Sequence, residues 1–190
     1  FPTPPLSMDI KPTAIADVFI LVPQVFGDHR GFFFESFNER EFIEKTGQSV
    51  HFVQDNHSRS TQHILRGLHY QIEQTQGKLV RVIAGAVFDV TVDLRQSSPT
   101  FGQWVGEVLS AENKHQLWVP PGFAHGFLVL SESADCLYKV TDYYAPQHER
   151  SLRWDDPHVG VEWPLPPNVD PILSQKDQAG LYLHQAPLFA

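Results

Sequence analysis

From residue 50 to residue 141, apolar and polar positions alternate in short bursts broken by proline and glycine, which predicts closely spaced β-strands. LVRVIAGAVFDVTVDLR (79–95) reads as two strands turning near Ala84-Gly85. In the second of them Phe88, Val90, Val92 and Leu94 alternate with Asp89, Thr91 and Asp93, predicting one buried face and one polar face. SSPTFG (97–102) reads as a turn, WVGEVL as the next strand, and LWVP and FAHGFLVL as a strand pair joined by PPG. DCLYKVTDYY adds one more strand, and residues 20–37 add two around VFGDHRG, where Gly27-Asp28 and Gly31 are turn formers. Helix signals are confined to two places. NEREFIEKTG (38–47) has Asn38 as N-cap, Glu41 three residues on and Gly47 as a stop. SQKDQAG (174–180) repeats that logic over one or two turns, with Ser174 capping and Gly180 closing. The proline-rich stretch 155–171 reads as irregular surface chain.

This pattern predicts an all-β sandwich or barrel with short helical additions, and 190 residues suffice for one such domain but not for two. Residues 1–8 are expected to lie outside it, with Met8 as the natural start. FPTPPLSMDIK lacks the basic and apolar regions of a secretory signal. No apolar run approaches the ~20 residues that span a bilayer. The single Cys136 excludes an internal disulfide framework and a thiolate metal cluster, and fits a reducing cytoplasm. A formal charge of −8 argues against nucleic-acid binding, so an anionic ligand would need a local basic pocket.

Ten histidines raise the question of a metal. Pro120, Gly122 and His125 match the PxGxxH element of a cupin metal site, a cupin being a small double-stranded β-helix barrel. The HxH element fails, because His69-Tyr70-Gln71 places glutamine where the second histidine should stand. A catalytic metal usually has about three protein ligands. No metal is therefore expected.

RGLHYQ (66–71) poses the sharper problem. Strict alternation puts His69 and Gln71 on one strand face, Leu68 and Tyr70 on the other, and Arg66 opposite His69. Both basic groups reach one pocket only if the strand bulges, and Gly67 is the natural place for it. The plain alternative is a core His69 with a hydrogen-bond partner and a solvated Arg66. Against it, HSRSTQHILRGLHYQ, QGKLVR and FAHGF set basic groups on neighbouring strands, and small barrels with polar interiors bind ligands there.

FGDHRGFFFESF, FVQDNHSRS, LRGLHYQ, QGKLVRVIAGAVFDVTVDLR, SPTFGQWVG, LSAENKHQLWVPPGFAHGFLVLS, LYKVTDYYAPQHERSLRWDDP and ILSQKD follow one another along the chain. Over about residues 17–180 they resemble the dTDP-4-dehydrorhamnose 3,5-epimerase family, cofactor-free cupin-fold enzymes of dTDP-L-rhamnose synthesis. The resemblance implies a cytoplasmic epimerase that inverts C3 and C5 of a dTDP-4-keto-6-deoxy sugar. Both carbons are α to the carbonyl, so the chemistry needs a base, an acid on the opposite face and a group to stabilise the enolate. His69 resembles the family's base, Asp177 the carboxylate that orients it, Tyr138 the acid and Lys78 the cation at the enolate oxygen. Apart from the resemblance, Asp177 reads equally as a capping-box residue answering Ser174, Tyr138 as a core aromatic and Lys78 as a hairpin-edge lysine. Arg66, Arg30 and Lys176 are carried over as ligand-binding, with Glu35, Gln54, Asn56, His125 and Glu149 as further contacts. The resemblance also implies a homodimer in which Arg30 and Glu35 serve the neighbouring subunit's site. Single C3 or C5 epimerases of related sugars are the alternative within enzymes; a non-catalytic nucleotide-sugar-binding barrel would be expected to lack His69, Tyr138 or Lys78.

Overall fold

The computed structural model describes residues 7–190. Two antiparallel sheets face each other as a jelly-roll barrel. The larger, six-stranded sheet contains β1 (Met8–Pro12), β2 (Phe19–Pro23), β5 (Gln54–Thr61), β7 (Lys78–Ala84), β10 (Gln116–Val119) and β12 (Ser133–Val140), in the order β1-β2-β10-β7-β12-β5. The second sheet contains β6 (Leu65–Gln71), β8 (Ala86–Asp93), β9 (Trp104–Ser110), β11 (Phe123–Val129) and β13 (Glu149–Ser151), in the order β13-β6-β11-β8-β9. A small hairpin, β3 (Phe26–Asp28) with β4 (Gly31–Phe33), stands apart. Residues 1–8, expected to lie outside the domain, fall mostly outside the residues described; Met8 corrects the expectation, since it opens β1, is buried, and pairs with Pro23.

Several expectations change in detail. LWVP and FAHGFLVL are both strands but do not pair: β10 and β11 belong to opposite sheets, and the PPG turn carries the chain across the barrel. The Ala84-Gly85 turn does the same between β7 and β8. At Gly85, φ is +72° and a Cβ would strike the Ser133 carbonyl, so glycine is required at this crossing. Residues 20–37 hold three strands rather than two, because Asp28 accepts hydrogen bonds from the Arg30 backbone N–H (2.9 Å) and side chain and closes an additional tight hairpin. The β8 pattern also differs from its reading. Phe88, Val90 and Val92 do share a face, but Asp89, Thr91 and Asp93 are all fully buried. Their face is the barrel interior, not solvent. Interior polar residues mimic an exposed strand face when read by periodicity alone.

Three apolar clusters place the core. The first lies between the sheets and joins Val80, Val82, Leu117 and Val119 to Val87, Val105, Phe127 and Val129. The second packs Leu68, Tyr70, Val90, Val92 and Ala124 against Leu152, Val159 and Ala186, so the irregular chain after residue 150 seals the outer face of the smaller sheet. The third gathers Trp118, Leu21 and Leu79 under helix α1 (Glu39–Thr46), whose Phe42 is fully buried. Asn38 caps α1 by accepting from the Glu41 N–H at 3.1 Å, and Gly47 ends it at φ +69°. The second helix, α2 (Gln175–Gln178), is one turn capped by Ser174; Ala179 rather than Gly180 is its C-cap. No helix among the described residues is long and apolar enough to cross a membrane.

Candidate active site

The interior is zoned. Its apolar cluster fills one part of the space between the sheets, and polar side chains line a cavity of roughly 400 Å³ in the other. β5 contributes Gln54 and Asn56, β6 Arg66 and His69, β7 Lys78, β11 His125, β12 Tyr138, β13 Glu149 and α2 Lys176. Asp177 stands directly behind His69, with its carboxylate Oδ1 at 2.6 Å from the imidazole Nε2. The structure therefore brings together ten of the twelve expected site residues. Arg30 and Glu35 are not among the residues lining this chain's cavity: Arg30 sits in the β3–β4 turn paired with Asp28, and Glu35 Oε1 is buried without a hydrogen-bond partner.

The bulge expected at Gly67 is present. His69 lies opposite His125 and Arg66 opposite Phe127, so two residues of β6, Gly67 and Leu68, face the single Gly126 of β11. The extra residue restores Arg66 to the cavity face that His69 occupies. Two glycines make this possible. Gly67 has φ +111°, and a Cβ there would come within 2.6 Å of the His125 carbonyl; a Cβ on Gly126 would collide with the Arg66 carbonyl.

Asp177 reconciles the two roles that the sequence left open. Its backbone N–H donates to the Ser174 hydroxyl as part of the helix cap, while its carboxylate accepts from His69 and from the Gly67 N–H at 3.2 Å. Burial pushes the Asp177 carboxyl up, but the hydrogen bond and charge of His69, together with Gly67 and Ser174, hold it below its ordinary value. A carboxylate at Nε2 keeps the imidazole proton there and leaves Nδ1 as the basic nitrogen. His69 is on the smaller sheet and Tyr138 on the larger, so the two meet the cavity from opposing walls. Burial raises the Tyr138 phenol above its ordinary value, and the carboxylate of Glu149 adds to the effect. It remains protonated at neutral pH, as an acid must. Lys78 neighbours Tyr138 on the same wall and makes no ion pair with a described residue. Burial pulls its ammonium down to about 8, against the opposing pull of Glu149 and Asp89.

The mouth is basic. Arg66 donates through Nε to the Ser60 hydroxyl at 2.8 Å, and Lys176 pairs with Glu149 at 2.8 Å. Glu149 also accepts from the Tyr144 hydroxyl at 3.1 Å, and Gln54 donates to Asn56 at 2.8 Å. Tyr144, Gln76, His57, Ser58 and Phe127 line the cavity without having been singled out from sequence. His57, Ser58, Gln76 and Phe127 do fall within the HSRSTQ, QGKLVR and FAHGF stretches read for their basic groups, and Tyr144 is half of an aromatic pair between strand and proline turn. Among the described residues no three of His, Cys, Asp and Glu come together as a metal site. The Nε2 atoms of His69 and His125 are each spent on a carboxylate, Asp177 and Asp89 respectively.

Comparison with known proteins identifies the family. Residues 12–185 match the model of the family described as dTDP-4-dehydrorhamnose 3,5-epimerase. A Pseudomonas aeruginosa protein of that name is 62% identical over 93% of this chain and 96% of its own length. A Salmonella typhimurium protein of the same name is 59% identical over 95% and 98%. A crystal structure of the Legionella pneumophila enzyme, in complex with dTDP-4-keto-L-rhamnose, superposes with a TM-score of 0.92 at 54% identity, covering 95% of each chain.

Proposed function

The chain belongs to the dTDP-4-dehydrorhamnose 3,5-epimerase family and is an isomerase that inverts C3 and C5 of dTDP-4-dehydro-6-deoxy-D-glucose, and from that premise we propose how its residues divide the work. The observation that carries the proposal is the His69–Asp177 pair facing Tyr138 and Lys78 across one cavity.

His69 Nδ1 takes the proton from the carbon α to the C4 ketone, and the C–H electron pair moves into the carbonyl as an enolate. Asp177 holds the imidazole ring and stabilises the imidazolium that results. The Lys78 ammonium, desolvated on the opposite wall, compensates the negative oxygen; a compact charge in a dry site acts more strongly than in water. The Tyr138 O–H then protonates the carbon from the other face, and inversion follows because base and acid stand on opposing sheets. Once exchange with solvent has removed the proton from His69 and returned one to Tyr138, the same steps serve the second carbon, since C3 and C5 flank the same ketone. Arg66 and Lys176 at the mouth take the diphosphate, the guanidinium being suited to paired phosphate oxygens. Gln54, Asn56, His125 and Glu149 contact the nucleotide and sugar.

Arg30 and Glu35 complete the neighbouring subunit's site in a homodimer. Supporting this, neither lines the cavity of its own chain, while Phe32 of the same β3–β4 hairpin is 62% exposed. A gel-filtration mass of one chain would remove the dimer. The activity is placed in the cytoplasm, where the lone buried Cys136 stays reduced.

The test of the mechanism is incubation with dTDP-4-keto-6-deoxy-D-glucose in heavy water. Deuterium at C3 and C5, trapped as an L-rhamno product by a partner reductase, is the expected result. No incorporation at either carbon overturns the assignment of His69.

A further inference from the structure

A second histidine–carboxylate pair lies beside the first. His125 and His69 are directly opposite each other in the β11–β6 register, so their imidazoles stand side by side on the interior face of one sheet. His125 Nε2 lies 2.8 and 2.9 Å from the two oxygens of Asp89, whose side chain is fully buried. With Nε2 so engaged, Nδ1 has no hydrogen-bond partner among the described residues, and His125 lines the cavity. Asp89 itself does not line the cavity. Whatever it does for the reaction passes through its neighbours.

We propose that Asp89 is a positioning residue for the epimerisation: it fixes His125 with Nδ1 toward the sugar, and it supplies buried negative charge that holds Lys78 as an ammonium. This rests on the reading of the cavity given above. Two carboxylates oppose the desolvation of Lys78, Glu149 of β13 and Asp89 of β8, while Lys176 of α2 works against them. His57 of β5, Arg66 and His69 of β6, His125 of β11, Tyr138 of β12 and Tyr144 just beyond it complete the titratable groups that share the cavity with Lys78. Glu149 is already matched by Lys176 at 2.8 Å and by the Tyr144 hydroxyl, whereas Asp89 is matched only by an imidazole. Asp89 is thus the carboxylate near Lys78 that no lysine or arginine of the described chain neutralises.

The experiment is the Asp89→Asn variant of the full chain, assayed for kcat, KM and the pH dependence of kcat/KM. The alkaline limb of kcat/KM reports the free enzyme and so reports loss of the Lys78 proton. The expected result is a kcat lower by about 10–100-fold, because misplacing a contact by ~1 Å costs up to about 100-fold. KM should change by less than about 3-fold, and the limb, which the buried Lys78 should place near 8 in the wild type, should move to lower pH by roughly half to one unit, the size of one partly screened charge contact. An unmoved limb with unchanged kcat per folded molecule overturns the proposal, since a merely structural Asp89 would lower only the melting temperature and the folded fraction. If Asp89→Asn does not fold, His125→Asn keeps the Asp89 charge: its limb should stay in place while turnover falls. A limb that drops in His125→Asn assigns the support of Lys78 to the imidazole and equally overturns the proposal. Wild-type deuterium exchange run in parallel separates the two readings, because failure there removes the function itself, whereas normal exchange with an indifferent Asp89→Asn removes only this inference.

Discussion

Lys78→Met should make the protein more stable while abolishing its turnover. Lys78 is only 8% exposed and forms no ion pair with a described residue. Burial lowers its ammonium from 10.5 to about 8 even after Glu149 and Asp89 are counted. The difference of about 2.5 units, at ~1.36 kcal/mol each, means that the folded state carries a charge at a cost of roughly 3 kcal/mol at neutral pH. Methionine has a similar stem, fills the same space and carries no charge to desolvate. For a domain of this size each kcal/mol moves the melting temperature by about 2–4 °C, so a gain of roughly 6–12 °C at pH 7 is the scale expected.

The pH dependence is the more searching part. Between the folded value near 8 and the unfolded value of 10.5, the unfolded chain binds a proton that the folded chain does not. Wild-type stability therefore rises with pH through that window as the cost of the charge is relieved. The methionine variant has nothing to titrate there. The stability gap between the two proteins should shrink by about 2.5 kcal/mol from pH 7 to pH 10. Denaturant unfolding of both proteins at intervals across that range measures it, and taking the difference cancels every other titrating group. A variant that is no more stable at pH 7, or a gap that stays constant to pH 10, would refute the claim that Lys78 is held charged against its environment.

Other predictions follow from the same geometry. His69→Ala should abolish deuterium exchange at C3 and C5 while dTDP binding, followed by calorimetry, persists; normal turnover would end its assignment as base. Tyr138→Phe should still exchange solvent deuterium but yield little inverted product, and unchanged product formation would count against it as the acid. Asp177→Asn should lower kcat by up to about 10⁴-fold, the loss seen when a catalytic-triad histidine has its orienting carboxylate replaced by an amide. Because the folded Asp177 carboxyl is held below 3.8, the stability it contributes is present above that pH and is lost as pH falls through the lower folded value. The stability difference between wild type and Asp177→Asn should accordingly narrow in acid, and a difference that widens there would contradict the pairing. Gly67→Ala should cost about 2 kcal/mol or more, from the positive φ and the contact with the His125 carbonyl, and should disable the site in whatever protein still folds. Wild-type activity in that variant would show that the bulge does not set Arg66 and His69.

How much of this was legible in the sequence depended on whether the controlling interaction was local. Helix α1 was readable because its cap, its acidic first turn and its glycine stop lie within ten residues. The bulge was readable because alternation fails between Arg66 and His69 at a glycine, and strand geometry allows few other repairs. Sheet membership was not readable. β7 and β8 meet at a glycine just as a hairpin does, yet they part into opposite sheets, and what separates them is the Ser133 segment packed against Gly85, distant in sequence. The face of β8 misled for a related reason. Asp89, Thr91 and Asp93 look like a solvated edge until β11 and the 93–100 turn supply His125, Arg95, Ser98 and Thr100 around two of them. Periodicity reports that two faces differ, not which one meets water. The same blindness hid Asp89 from any list of site residues, because a carboxylate acting through an imidazole on another strand leaves no spacing to detect. Polar residues alternating along a barrel strand are therefore better read as interior candidates, with a partner to be sought on the adjacent strand, than as evidence of exposure.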